Sequence, residues 1–75
     1  MESSEIIFRK NIIYLRLLKE ISPYRVSKDL NINMSYYYNL ENLRKPINPR
    51  FEIFDKLADY YGITVSDLFK PQYSK

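Results

Sequence analysis

Lysine and arginine side chains carry the clearest chemical signal in this 75-residue sequence. The total charge is only +3, but residues 9–50 hold nine Lys/Arg against three Asp/Glu, and the two flanking segments are net acidic. Arg44, Lys45 and Arg50 lie close together in a segment that also contains two prolines. A local cluster of cations attracts phosphate groups more effectively than a small total charge does. The charge pattern leaves two interpretations open, a nucleic-acid-binding segment and an ordinary solvated surface.

The residue types that carry much of enzyme chemistry are missing. The sequence contains no His and no Cys, and its single Gly cannot form a Gly-rich phosphate loop. Without His and Cys there is no imidazole base, thiol nucleophile, disulfide or Cys-based zinc site. The carboxylates are scattered, and nothing pairs a nucleophile with a base. We therefore predict that the protein is not an enzyme and has no catalytic residue, metal or cofactor.

Length and hydropathy favour one small globular domain. With 45% hydrophobic residues, the chain has enough apolar surface for a single core. The predicted domain covers residues 1–75, with its core at about 5–70 and a frayed tail at 71–75. No apolar run is long enough to cross a membrane, and the first residues lack the pattern of a secretory signal. We expect an intracellular, cytoplasmic protein.

Apolar residues recur every three or four positions, the spacing of one helix face, in two long segments. In residues 5–21 the predicted inward positions are Phe8, Ile12, Leu15, Leu18 and Ile21. In the segment that ends before Gly62 they are Phe51, Phe54, Leu57, Ala58 and Tyr61. Arg9 and the neighbouring cations are assigned to the other faces of the first helix. A capping-box pattern from Thr64 to Asp67 opens a short fifth helix.

Two shorter helices are predicted between these segments. Ser22 followed by Pro23 is a helix-start signal, because serine caps a helix well and proline fits the first helical position. This helix runs to Leu30, and Asn31 ends it in a left-handed conformation.

Asn33 caps the next helix, residues 34–42, in which Tyr37 and Leu40 have the spacing of a buried stripe. Two short helices joined by about three residues have the geometry of a helix-turn-helix. In such a motif the second helix can enter the major groove of DNA.

An ordered set of short segments resembles the Cro/C1-type (XRE-like) DNA-binding domain over about residues 8–69. In chain order the segments are Leu15-Arg16, Ser22, Val26-Ser27, Leu30-Asn31-Ile32, Tyr36-Tyr37, Leu40-Glu41-Asn42, Leu57-Ala58, Tyr61-Gly62-Ile63-Thr64-Val65 and Leu68-Phe69. Their order and spacing are specific, although no single segment is. The resemblance implies an all-α, five-helix bundle similar to the lambda-repressor DNA-binding domain, with the helix-turn-helix in helices 2 and 3.

The resemblance also implies two sets of DNA contacts. Base edges are contacted from the start and outer face of the third helix by Asn33, Met34, Ser35, Tyr38 and Asn39. The phosphate backbone is contacted from the second helix and from the loop before the fourth by Tyr24, Arg25, Lys28, Arg44, Lys45, Asn48 and Arg50. Asparagine suits adenine because its amide bonds to N6 and N7, and methionine offers an apolar contact to a thymine methyl group. For Asn33 a purely capping role stays open.

Other positions bear on how the third helix is held. The resemblance implies a structural ion pair between Arg16 and Glu41, which ties that helix to the first. Three positions depart from the family pattern: Pro23 replaces a frequent Gln, and Leu43 and Glu20 replace customary glycines. A left-handed turn at Leu43 would be strained, so either the third helix is longer or the turn is rebuilt.

Two functions remain open. The first is a sequence-specific, double-stranded DNA-binding transcriptional regulator, a bacterial or phage repressor that occupies an operator. Its homodimer would use the fifth helix and the tail, through Leu68, Phe69 and Tyr73. The second is a helix-turn-helix protein-interaction module, which binds another regulator through a surface rich in tyrosine without binding an operator. Eight tyrosines favour this alternative, because tyrosine is enriched at interfaces.

Overall fold

The computed structural model describes residues 2–71 and arranges them as four α-helices and a final 3₁₀ helix. The α-helices are α1 (Ser4–Leu18), α2 (Pro23–Leu30), α3 (Met34–Glu41) and α4 (Phe51–Tyr61), and the 3₁₀ helix is Ser66–Phe69. No strand occurs within residues 2–71. The all-α class is confirmed, but the predicted fifth α-helix is only one 3₁₀ turn. The predicted frayed tail lies, apart from Pro71, outside the described residues.

Side-chain caps determine where three of the helices begin. The caps of α1, α2 and α3 each accept a hydrogen bond from a backbone N–H three residues further on, at 3.3, 3.1 and 3.0 Å, and they are Ser3, Ser22 and Asn33. Such caps satisfy N–H groups that have no partner within the helix. Helix α4 begins after Arg50 without a side-chain cap. Unlike α1, α2 and α3, this helix therefore has no side-chain acceptor for the N–H groups of its first turn.

Left-handed residues end the helices where the chain turns sharply. Asn31 has φ 55° and Gly62 has φ 69°, so both predicted helix ends are confirmed. Helix α1 ends at Leu18, earlier than the segment predicted from periodicity, and Glu20 follows with φ 57°. A non-glycine residue in this region costs about 1–2 kcal/mol. Glu20 therefore adopts a left-handed conformation despite its Cβ.

One hydrophobic core joins the four α-helices and the 3₁₀ helix. Its buried apolar residues are Phe8, Ile12, Leu15, Val26, Tyr37, Leu40, Ile53, Leu57, Ala58 and Leu68. Two residues assigned to inward faces are instead exposed, Leu18 at 62% and Phe51 at 91%. Leu18 is the last residue of α1, and at the start of α4 Ile53 takes the inward position. The prediction for Arg9 is also wrong, because this side chain is only 1% exposed.

The 3₁₀ helix is fastened to α1 by a buried amide. Asn11 Nδ2 donates to the carbonyl oxygens of Leu68 and Lys70, both at 2.7 Å. Leu68 is fully buried, and the Phe69 ring lies 5.5 Å from that of Phe8. Leu68 is therefore unavailable for the predicted dimer contact, because it belongs to the core of its own chain. Tyr73, the third residue predicted there, lies outside the described residues.

Candidate nucleic-acid interface

Helix α3 divides cleanly into a buried and an exposed side. Tyr37 and Leu40 are fully buried, whereas Met34 and Tyr38 are 42% and 45% exposed. Ser35 and Asn39 are also exposed, and Asn33 is exposed while its side chain caps the helix. Helices α2 and α3 pack against each other across the turn at 31–33. This arrangement presents a polar and thioether-bearing surface of α3 on the outside of a helix-turn-helix.

Arg9 holds the C-terminal end of α3 from inside the bundle. Its Nε donates to Leu40 O at 2.9 Å, and its Nη2 donates to Asn39 O at 2.9 Å and also to Asn42 O. The last carbonyl groups of a helix lack partners within the helix and carry the negative end of its dipole. A buried guanidinium therefore caps α3 from another helix.

The turn after α3 is rebuilt around this cap. Asn42 follows the helix in an extended conformation (φ −88°, ψ 95°), and its Oδ1 accepts from Arg44 N at 3.1 Å. The only non-glycine residues with positive φ among the described residues are Glu20 and Asn31, so Leu43 is not strained. Of the two alternatives left open at Leu43, the structure contains the rebuilt turn. Sequence reasoning missed Arg9, because the carbonyl groups that accept its hydrogen bonds lie about 30 residues away along the chain.

A second buried contact joins α1 to the end of α3. Arg16 and Glu41 form a bidentate pair, with Nε–Oε2 at 2.7 Å and Nη2–Oε1 at 2.9 Å. Their side chains are 12% and 11% exposed. Arg16 Nη1 also donates to Ile21 O at 2.8 Å, and Tyr37 donates its hydroxyl hydrogen to Glu41. The ion pair is thus part of a network that spans α1, α3 and the turn before α2.

This network alters the acid–base properties of its members. The hydrogen bond to Glu41 raises the pKa of Arg16, so that the guanidinium stays charged. Burial, together with the adjacent Glu41 carboxylate, raises the pKa of Tyr37 far above its ordinary value. Burial likewise raises the pKa of Tyr61. The two phenols on the buried side of α3 therefore resist ionisation more than an exposed tyrosine does.

The end of the loop between α3 and α4 contacts α3 at Tyr36. Arg50 N donates to the Tyr36 hydroxyl at 3.0 Å, and the Arg50 guanidinium lies 5.1 Å from the centre of the Tyr36 ring. Asn39, Asn48 and Arg50 line one shallow groove between α3 and this loop. The structure thus brings a predicted base-contacting residue beside two predicted phosphate-contacting residues.

The predicted phosphate contacts on α2 are in a different environment. Arg25 Nε lies 3.0 Å from both carboxylate oxygens of Asp29, and Lys28 Nζ lies 5.8 Å from the centre of the Tyr24 ring. The start of α2 is already occupied by its serine cap, and Pro23 contributes no N–H. The start of α4 has no side-chain cap and follows Arg50, so its first N–H groups are available to an anion, but the Glu52 carboxylate in the same turn opposes one.

Every residue predicted to contact DNA is exposed. The base-contacting set is Asn33, Met34, Ser35, Tyr38 and Asn39, and the phosphate-contacting set is Tyr24, Arg25, Lys28, Arg44, Lys45, Asn48 and Arg50. Among residues 2–71 there is no helix suited to crossing a membrane and no group of three acidic side chains placed to hold a metal ion.

The four α-helices include a helix-turn-helix, formed by α2 and α3, and the exposed side of α3 is flanked by cations. This arrangement is typical of the class of helix-turn-helix DNA-binding domains. A family model described as a Cro/C1-type HTH DNA-binding domain matches residues 11–73. The chain belongs to this family. Neither the curated proteins nor the solved structures that were compared with the chain gave a match.

Proposed function

We propose that the protein is a sequence-specific, double-stranded DNA-binding transcriptional regulator that inserts α3 into the major groove. One observation carries this proposal. Helix α3 exposes Met34, Ser35, Tyr38 and Asn39 on its outer side, while its inner side is buried and fastened by two arginines. Groups that read base edges need this combination of exposure and fixed orientation. Repression then requires only that the protein occupies an operator, with no catalytic residue involved.

The phosphate contacts in this proposal come mainly from the loop before α4. Arg44, Lys45 and Arg50 are exposed there, and the first N–H groups of α4 have no side-chain cap. Helix N-termini bind phosphate through such N–H groups and the positive end of the dipole. Tyr24, Arg25, Lys28 and Asn48 complete the proposed backbone contacts. These contacts position α3 without reading sequence.

The proposal includes a site of action and an assembly. A bacterial or phage repressor reaches its DNA in the cytoplasm, so we place the protein there. A palindromic operator requires two copies, with half-sites about one helical turn apart. With Leu68 buried in the core, the contact between the copies has to use other residues.

Selection of bound fragments from randomised duplexes tests this proposal most directly. We expect an enriched motif and an affinity that falls steeply as salt is raised. A plot of log affinity against log salt concentration has a negative slope, and removing one phosphate-contacting cation should make this slope shallower by about 0.9. Arg44→Ala should show this change, whereas Lys70→Ala, an exposed cation near the 3₁₀ helix, should not. Equal recovery of all duplexes would contradict sequence-specific recognition.

A protein-interaction module is the second candidate, and exposed aromatic side chains favour it. Tyr24 is 51% exposed and Phe51 is 91% exposed, although both are large apolar groups. Aromatic residues are enriched in protein interfaces. A gel shift at about physiological salt, compared with a pull-down from host lysate, separates the two candidates. Capture of one regulator without any DNA shift would favour the interaction module.

A further inference from the structure

The outer surface of α3 contains no cationic side chain. Its eight residues, from Met34 to Glu41, include no Lys or Arg. The commonest specific contact to guanine is a bidentate bond from Arg or Lys to O6 and N7. Helix α3 therefore lacks the usual means of reading a G·C pair.

The nearest arginines are engaged in other contacts. Arg9 and Arg16 are held by the carbonyl groups at the end of α3 and by Glu41. Arg25 is paired with Asp29, and Arg50 lies over the Tyr36 ring. Arg44 follows the C-terminal end of α3, whereas a recognition helix contacts bases mainly with its N-terminal residues. The cations thus surround the base-reading surface without being part of it.

The side chains that do occupy this surface form two rows. Residues four apart lie above one another on a helix, and adjacent residues are about 100° apart. Met34 and Tyr38 make one row, with a thioether and an aromatic ring. Ser35 and Asn39 make the next row, with a hydroxyl and an amide. An apolar row and a hydrogen-bonding row therefore lie side by side.

We propose that these two rows read A·T base pairs, an inference that rests on the proposed function above. In the major groove an A·T pair presents adenine N7 and N6 beside the C5 methyl group of thymine. The Asn39 amide matches the adenine edge, donating to N7 and accepting from the N6 amino group. Met34 and Tyr38 match the thymine methyl groups. The operator half-site is thus rich in A·T pairs that are recognised by direct contact.

The test uses the motif selected from randomised duplexes and two altered bases. Uracil in place of thymine removes the methyl group, and 7-deazaadenine in place of adenine removes N7. On the wild-type protein, uracil should weaken binding about fourfold for each contacted methyl group. Loss of N7 removes one of the two proposed hydrogen bonds between Asn39 and adenine, so 7-deazaadenine should weaken binding by about 2- to 12-fold.

Two variants locate each effect. Met34→Ala should make the loss of affinity caused by uracil about fourfold smaller than in wild type, because only the methyl contact of Tyr38 is left, while its response to 7-deazaadenine stays that of wild type. Asn39→Ala should show the reverse pattern. Both side chains are exposed, so a melting temperature close to wild type checks that the fold is kept.

The remaining outcomes separate this inference from the proposed function. A motif rich in G·C pairs would overturn A·T readout while leaving a sequence-specific regulator in place. An A·T-rich motif would also overturn it if neither altered base changed the affinity of the protein, because DNA deformability would then explain the preference. The absence of any enriched motif would contradict the proposed function itself.

Discussion

The two ends of the recognition helix are held in opposite ways. At its N-terminal end α3 has a local cap from Asn33 and a contact between Tyr36 and Arg50, and Met34 and Ser35 are exposed. At its C-terminal end Arg9 is 1% exposed and Glu41 is paired with Arg16. One end is thus available to a partner, and the other is part of the core. The difference shows how a short helix can be oriented firmly while its binding residues make few contacts within the chain.

The anchored end depends on polar groups that are largely withdrawn from water. A guanidinium in this position is acceptable because the carbonyl oxygens of Asn39, Leu40 and Asn42 receive its hydrogen bonds, and the Glu5 carboxylate lies 3.4 Å from its Nη1. The helix dipole adds to this, since a cation is favourable at a C-terminal end. Removing one partner leaves the others desolvated and unsatisfied, so we expect large effects at this end and small ones at the other.

Arg9→Met should have the largest effect on stability. The substitution keeps apolar volume but removes the Arg9 donor from the carbonyl groups at the end of α3, of which Asn39 O keeps a hydrogen bond from Asn42 N. We expect the free energy of unfolding to fall by about 3–5 kcal/mol. For a domain of this size each kcal/mol lowers the melting temperature by about 4–8 °C. Thermal and urea denaturation followed by circular dichroism measure both quantities.

A matched control is the neighbouring cation. Lys10 is exposed at its ammonium end, where it pairs with Glu2, and Lys10→Met should change stability by no more than about 0.5 kcal/mol. If Arg9→Met were equally mild, the cap on α3 would not stabilise the folded protein. Arg9→Lys should recover only part of the loss, because an ammonium group cannot reproduce the planar fork of a guanidinium.

Arg16→Ala should come next, with a loss of about 2–3 kcal/mol, because its pair with Glu41 is partly accessible to water. DNA affinity should fall as well, since the pair helps to orient α3. Glu41→Gln is the informative companion, because it keeps the shape of the side chain and removes its charge. A melting temperature for Arg16→Ala equal to that of wild type would show that the pair makes no net contribution.

The buried side of α3 should also make the protein sensitive to alkali. Tyr37 has a raised pKa in the folded state, and a tyrosine in the unfolded chain ionises near pH 10. Above that pH the unfolded chain loses a proton that the folded chain keeps. The free energy of unfolding should therefore fall by about 1.4 kcal/mol per pH unit for this residue, and be unaffected below pH 10.

Urea denaturation at about pH 8 and at about pH 11 measures this dependence. Tyr37→Phe should make the alkaline loss smaller, even though it also removes the hydrogen bond to Glu41. Tyr24→Phe, at an exposed position, should leave the loss unchanged. A wild-type protein as stable at the higher pH as at the lower would contradict the burial of a neutral phenol behind α3.

At the free end of α3, Asn33 allows capping and base contact to be separated. Asn33→Ala should cost about 1 kcal/mol of stability, because it removes the cap of α3. Asn33→Ser keeps a capping oxygen and loses the amide. If Asn33→Ser binds the selected operator as wild type does, this residue is a cap alone. A loss of affinity at unchanged stability assigns it a base contact as well.

The same contrast explains which parts of the molecule the sequence could predict. Helix starts and ends at Ser22, Pro23, Asn31 and Gly62 follow from local chemistry, and all were predicted correctly. The outward side of α3 followed from periodicity and from the family resemblance. The burial of Arg9 could not be predicted in this way, because its acceptors are carbonyl groups about 30 residues away along the chain. The exposure of Phe51 likewise depends on which neighbours cover the start of α4.

Glu20 provides the last and smallest test, since it lies in the turn beside the anchored end. Its φ of 57° is strained for a side chain with a Cβ, and glycine removes that strain at some cost in unfolded-state entropy. Glu20→Gly should therefore raise the free energy of unfolding by about 0.5 kcal/mol. Lys19→Gly, at an ordinary φ of −82°, should instead lower it. If both variants lost stability, Glu20 would be making contacts that outweigh its backbone strain.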